Sequence, residues 1–99
     1  MAEGYEPIPN SGIDIVECGV FAPTSIAPVN YYAAEIQLTK SYDRTKHTII
    51  ATPLSDVDIA WVYITARWVN DSKIKVYITN TYQQSSQYCG FSWCIVRYA

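Results

Sequence analysis

Charge is scarce in this 99-residue chain. Only 16% of its residues are Asp, Glu, Lys or Arg, and seven basic against nine acidic side chains leave a net charge of −2. A balance so close to neutral supplies no electrostatic footprint for nucleic acid or for an anionic membrane surface, and neither is expected as a partner. No apolar run approaches the roughly 20 residues that cross a bilayer as a helix. The opening MAEGYE has neither a basic region nor an apolar stretch, so no secretory signal is expected. The only histidine, His47, has no Cys or Ser arranged beside it for nucleophilic work. Asp56 and Asp58 bracket Val57 as solvated turn residues do, and Glu17 next to Cys18 carries no nucleophile signature. The chain therefore reads as a non-enzyme, and nothing implies a cofactor or a metal. Three cysteines, Cys18, Cys89 and Cys94, leave at least one without an intramolecular partner. Their spacing fits no zinc pattern, and three reduced thiols are the expectation. No helical stripe is found either.

What is present in quantity is apolar and aromatic. Apolar residues make up 49%, and nine Tyr, three Trp and two Phe raise the aromatic share to 14%. That excludes global disorder. The length fits one domain. Residues 1–12, MAEGYEPIPNSG, read as an N-terminal arm or linker, and 13–99 as the folded unit. Strand signals run from Ile13 to Phe21, Tyr32 to Thr39, His47 to Thr52, Asp58 to Val69, Lys73 to Asn80 and Tyr88 to Tyr98. Residues 22–30, with two prolines, read as a loop. Asn70-Asp71-Ser72 supplies turn chemistry for a hairpin. Six strands at even spacing predict an all-β, six-stranded antiparallel β-sandwich.

Two strands carry apolar residues on both rows. Ala60, Val62, Ile64, Ala66 and Trp68 form one row of the fourth strand, and Ile59, Trp61, Tyr63, Thr65, Arg67 and Val69 the other. The last strand sets Cys89, Phe91, Trp93 and Ile95 against Cys94, Val96 and Tyr98. Trp68 and Trp93 are expected in the core. The second rows ask for a cover other than water, and a closed assembly of identical chains supplies one. Trp61, Tyr63, Val96 and Tyr98 are the interface candidates.

The order of segments carries a resemblance. SGIDIVECG at 11–19, AAEIQLTKSY at 33–42, TIIATPL at 48–54 and YITARW at 63–68 are followed by KIKVYITN and a closing GFSWCIVRYA. Over residues 11–99 this resembles the H-type lectin domain, and it is similar to the head domains of bacteriophage tail fibres and receptor-binding proteins. The resemblance implies a six-stranded sandwich that binds host cell-surface saccharide as a homotrimer near subunit boundaries. It implies a place in the virion, made in the host cytoplasm and attached to upstream tail components. It assigns a sugar-binding role to the arginine of YITARW, which is Arg67. It also expects an aromatic in the loop before the last strand; Thr81 holds that position and Tyr82 stands beside it.

The residues themselves add to this. Arg67 lies on the outward row, and its guanidinium offers several donors in a fixed plane. Tyr31, Tyr32, Tyr42, Tyr82 and Tyr88 fall in loops or at strand ends, where rings stack on the apolar faces of sugars. Asn80, Gln83 and Gln84 supply amides for hydroxyl groups. The expected carbohydrate-binding set is Arg67, Tyr82, Asn80, Gln83 and Tyr42. Two other readings stay open: a structural virion piece that trimerises or caps a tail tip without a ligand, and a free H-type lectin.

Overall fold

The computed structural model describes residues 14–54 and 61–99. The proposed arm at 1–12, together with Asp56, Asp58, Ile59 and Ala60, lies outside them. Six strands follow in chain order: β1 (Asp14–Ile26), β2 (Asn30–Gln37), β3 (His47–Pro53), β4 (Val62–Asn70), β5 (Lys73–Asn80) and β6 (Gln87–Arg97). They form two three-stranded sheets, ordered β1-β6-β3 and β2-β5-β4, and every pairing is antiparallel. The expected all-β, sandwich-like arrangement of six antiparallel strands is what is found.

Alternation dictates the core. Each central strand sends one row inward. From β5 come Ile74, Val76 and Ile78, and from β6 Cys89, Phe91, Trp93 and Ile95, all buried. The flanking strands add Ala34 and Val62, with Ile36, Ile64, Ala66 and Trp68 packed partly buried against them. Trp93 thus belongs to the buried core, and Trp68 packs against it partly buried. The ring of Phe21 stacks on Phe91 at 5.0 Å and meets Tyr32 at 5.6 Å, so one aromatic run ties the two sheets together.

β1 is longer than the sequence suggested. Residues 22–26, part of the 22–30 loop expected from its two prolines, continue the strand. The reason is a register shift between Phe21 and Thr24, which places Pro23 in a bulge on an edge strand, one of the few sheet positions that tolerates a missing N–H. Gly90 lies beneath that bulge. A Cβ there would meet the Phe21 carbonyl oxygen, with Pro23 N at 2.8 Å. Gly19 does the same service for a side chain, since its missing Cβ is where the Trp93 indole packs.

The expectation of three reduced thiols is overturned. Cys18 and Cys94 pair directly across β1 and β6, with Cα atoms 4.1 Å apart, and are joined by a disulfide. Directly opposed residues of an antiparallel pair stand within disulfide reach, a proximity that a separation of 76 residues gave no hint of. Cys89 is buried, and its Sγ approaches the Gly90 carbonyl at 3.0 Å.

The long connection between β2 and β3 is latched to the sandwich. Leu38 and Tyr42 donate their N–H groups to the Ser72 and Asp71 carbonyls, both at 2.8 Å. Glu17 accepts from the Tyr42 hydroxyl at 2.6 Å, from Thr39 N at 3.0 Å and from Thr39 Oγ1 at 2.9 Å.

Candidate functional site

The outer face of the β2-β5-β4 sheet follows from the same alternation that built the core. With Ile74, Val76 and Ile78 inward, Lys73, Lys75, Tyr77 and Thr79 must point out. Register then sorts their neighbours into cross-strand rows. Tyr31 and Tyr63 both pair with Thr79; Ala33 and Thr65 pair with Tyr77; Glu35 and Arg67 pair with Lys75. Tyr31 and Tyr63 therefore stand about 10 Å apart, two strand spacings, on either side of a small residue. Both are well exposed, at 59% and 54%. The Tyr31 and Tyr77 rings are 5.9 Å apart at 52°.

Arg67 closes one side of this platform. Its Nε donates to the Tyr77 hydroxyl at 3.4 Å and its Nη1 to the Trp68 carbonyl at 3.3 Å. The hydrogen bond from Arg67, reinforced by the charges of Arg67 and Lys75, holds the Tyr77 hydroxyl below the ordinary tyrosine range against opposing desolvation. Lys75 lies over the Tyr77 ring at 5.8 Å. Beyond it, Glu35 holds Lys73 at 3.6 Å and Lys75 at 4.0 Å. These exposed pairs add little to stability, but they fix the charges around the aromatic surface.

Charge is segregated along the sandwich. Residues 18–34 and 76–96 contain no Asp, Glu, Lys or Arg. All seven Lys and Arg residues lie in the half that holds the end of β2, the start of β5 and the 38–46 connection. Among the described residues the opposite half presents rings and uncharged polar groups. There Trp61 packs on Tyr82 with centroids 4.7 Å apart, and the Tyr82 hydroxyl donates to Gln84 Oε1 at 3.3 Å. Val29, a β-branched residue at φ 51°, turns the chain at this end and donates its N–H to the Tyr82 carbonyl at 3.2 Å. Such a backbone is costly for valine.

The residues expected to bind sugar do not form one group. Arg67 and Trp61, on which Tyr82 rests, are six residues apart, about 20 Å at strand rise. Tyr82 is half-buried, and Gln83 is exposed in the same loop. Asn80 is fully buried at 0%. Its Nδ2 donates to the carbonyls of Ile26 (3.0 Å), Ala27 (3.2 Å) and Ser85 (3.1 Å), and its Oδ1 accepts from Tyr82 N at 2.9 Å. No polar atom is left to offer a sugar, so Asn80 is an internal clamp on two loops. Tyr42 is corrected in the same way. It is 5% exposed, and its hydroxyl is spent on Glu17. Burial and that carboxylate push the Tyr42 hydroxyl up to about 12.

The interface candidates also separate. Tyr63 is exposed, but on the same face as Arg67. Trp61 is exposed against Tyr82. Tyr98 is half-exposed, with its hydroxyl donated to the Thr45 carbonyl at 3.1 Å. Val96 is only 3% exposed within the single chain and offers a partner no surface; Ile15 and Thr48, its neighbours in the ladder, flank it. Sequence reasoning passed over Tyr77 as a site residue. The signal was there in the alternation that sends 75, 77 and 79 outward, but not the pairing that sets Tyr77 between Ala33 and Thr65.

Such a surface can do one kind of chemistry well. Rings on three adjacent strands, over small residues and beside a guanidinium, can hold a flat ligand with an apolar face and hydroxyl edges. Among the described residues no three of His, Cys, Asp and Glu gather as a metal ion would require. No family model matches the chain, and neither a curated protein nor a solved structure matches it.

Proposed function

We propose that this chain is a carbohydrate-binding, receptor-recognition module that holds a host-surface saccharide on the outer face of the β2-β5-β4 sheet. The observation that carries the reading is the arrangement of Tyr31, Tyr63 and Tyr77 on three adjacent strands, with Arg67 at the Tyr77 hydroxyl. A pyranose laid over Thr79 and Tyr77 stacks its apolar face on a ring and turns its hydroxyls toward the Arg67 guanidinium. Tyr82 and Gln83 extend the surface past Trp61 to a longer glycan.

Each hydroxyl contact adds about 1 kcal/mol net, so one site is weak and useful binding needs several sites held together. A homotrimer meets that need. The resemblance over residues 11–99 supports both the trimer and a setting in a phage tail fibre or tail-tip protein. Exposed Ile15, Val20 and Ile50 on the other sheet support contact between copies, since large apolar side chains on one sheet face are interface material. Those same three residues favour a second reading, a trimerising or capping virion piece with no ligand.

The two readings separate in one experiment. Light scattering gives the mass in solution, and binding to purified host cell-wall glycan is measured for wild type, Arg67→Ala and the Tyr31→Ala/Tyr63→Ala double variant. The saccharide reading expects a trimer and at least a tenfold loss of retention in both variants. Wild-type retention in both variants, or no retention by the wild type, sinks it and leaves the structural reading.

A further inference from the structure

We propose that the charged end of the sandwich holds an anion site, and that its ligand is the phosphate group of a phosphorylated saccharide. A depression of about 420 Å³ opens there between the start of β1, the 38–46 connection and the paired ends of β3 and β6. Lys40, Lys46, His47 and Arg97 line it, together with Tyr42 and Asp43. Three of the seven basic side chains and the only histidine of a chain with net charge −2 thus converge on one concavity.

The fold brings them together by separate routes. His47 and Arg97 face each other across the β3-β6 ladder, and both belong to the inward rows, so they project into the mouth of the space between the sheets. Lys46 is fixed beside them because Tyr98 donates its N–H to the Lys46 carbonyl at 2.9 Å. Lys40 is held from the other side, over the Tyr42 ring at 5.6 Å.

Of the nearby carboxylates only Asp43 lines the concavity, while Glu17 and Asp14 stand beside it. Asp43 accepts from Thr45 N at 2.9 Å and from Thr45 Oγ1 at 2.6 Å. Glu17 is spent on Thr39 and Tyr42. Asp14 is the register partner of Arg97 on the β1 side. Among the described residues Lys40, Lys46 and Arg97 make no ion pair. Arg97 uses only its Nε, donating to the Ala99 carbonyl at 3.0 Å, which leaves its terminal nitrogens for a ligand. By contrast Arg44, at the mouth of the neighbouring depression, is committed to Asp71 at 2.8 Å.

Three cations at one mouth match a compact dianion with several acceptor oxygens better than a single carboxylate. A nucleic acid needs a basic stripe along its backbone, and here the cations gather in one hollow. The saccharide part of the ligand rests on the function proposed above; the phosphate part does not.

Amide chemical shifts of the full chain are followed during titration with inorganic phosphate, with glucose 6-phosphate and with glucose. The expected result is saturable movement of Lys40, Lys46, His47 and Arg97 with both phosphates, at least fivefold tighter for glucose 6-phosphate. Arg97→Gln and Lys40→Gln, both at exposed positions, are each expected to weaken the two phosphates at least fivefold, and Arg67→Ala is expected to leave inorganic phosphate unchanged. No saturable movement, or the same affinity in the folded Lys40→Gln/Arg97→Gln double variant, overturns the anion site. Equal affinity for the two phosphates overturns the saccharide assignment alone. Tighter binding of a short DNA duplex through the same residues overturns it in favour of nucleic acid.

Discussion

The Tyr42 hydroxyl donates a 2.6 Å hydrogen bond to the Glu17 carboxylate, and through it the connection between the two sheets is fastened to the first strand. Hydrogen bonds to a charged group contribute about 1.5–3 kcal/mol, so Tyr42→Phe is expected to lower unfolding free energy by roughly that amount in urea titration. The pair also sets two pH limits. Desolvation pushes the Glu17 carboxyl up, but the Tyr42 and Thr39 hydrogen bonds and the charge of Lys40 outweigh it and hold the group below its ordinary value. A depressed carboxylate contributes stability that is present above its unfolded pKa and lost as pH falls through the folded one. Tyr42, pushed up to about 12, contributes stability that is complete below its unfolded value near 10 and lost as pH rises toward 12. Glu17→Gln is expected to flatten the acid limb of the stability profile.

Asn80 is expected to be the least replaceable polar residue. Asn80→Ala removes a buried amide whose two N–H bonds are shared among three carbonyls and whose oxygen takes the Tyr82 N–H, at about 1–3 kcal/mol for each group that water cannot reach. A loss of about 3 kcal/mol or more is expected in denaturant unfolding, with faster amide exchange at Tyr82. Asn80→Asp is expected to fare no better, because a carboxylate donates nothing to Ile26, Ala27 and Ser85. A stable Asn80→Ala protein with unchanged exchange at Tyr82 contradicts the clamp.

Gly90→Ala and Gly19→Ala differ by what they strike. At Gly90 the obstacle is backbone of the β1 bulge, which yields less readily than a side chain, so a cost toward the upper end of the usual 1–3 kcal/mol for overpacking is expected. At Gly19 the obstacle is the Trp93 side chain, and a smaller cost with a shifted tryptophan emission is expected. Equal and small effects at both positions speak against the close approach of β1 to β6.

The Cys18–Cys94 disulfide closes a loop across most of the chain. Loop closure on this scale contributes about 2–4 kcal/mol, so Cys18→Ser/Cys94→Ser is expected to melt lower by a corresponding amount while keeping its strand signal in circular dichroism. Alkylation in denaturant without reductant is expected to leave Cys18 and Cys94 unlabelled, and to label them after reduction. Labelling of both without reductant rules the bond out.

The β5 boundaries, Lys73 to Asn80, and its inward row could be read directly, because clean alternation and an Asn-Asp-Ser turn leave one solution. The core tryptophans could be read for the same reason. Pro23 misled because a proline breaks a central strand but not an edge bulge, and edge position is decided by pairing. Asn80 and Tyr42 look like surface groups by type, and only their partners far along the chain make them internal. Alternation sends Arg67 outward, but register decides that it meets Tyr77 and not the Tyr82 loop.

Period-two patterning thus determined, within the chain itself, the strand class, the number of strands and which side of each faces the core, since side-chain direction along a strand is a local property. Tertiary structure alone decided which outward rows share a face, which cysteines meet and where the cations gather. Those depend on strand order and register, and these are set by packing between segments tens of residues apart.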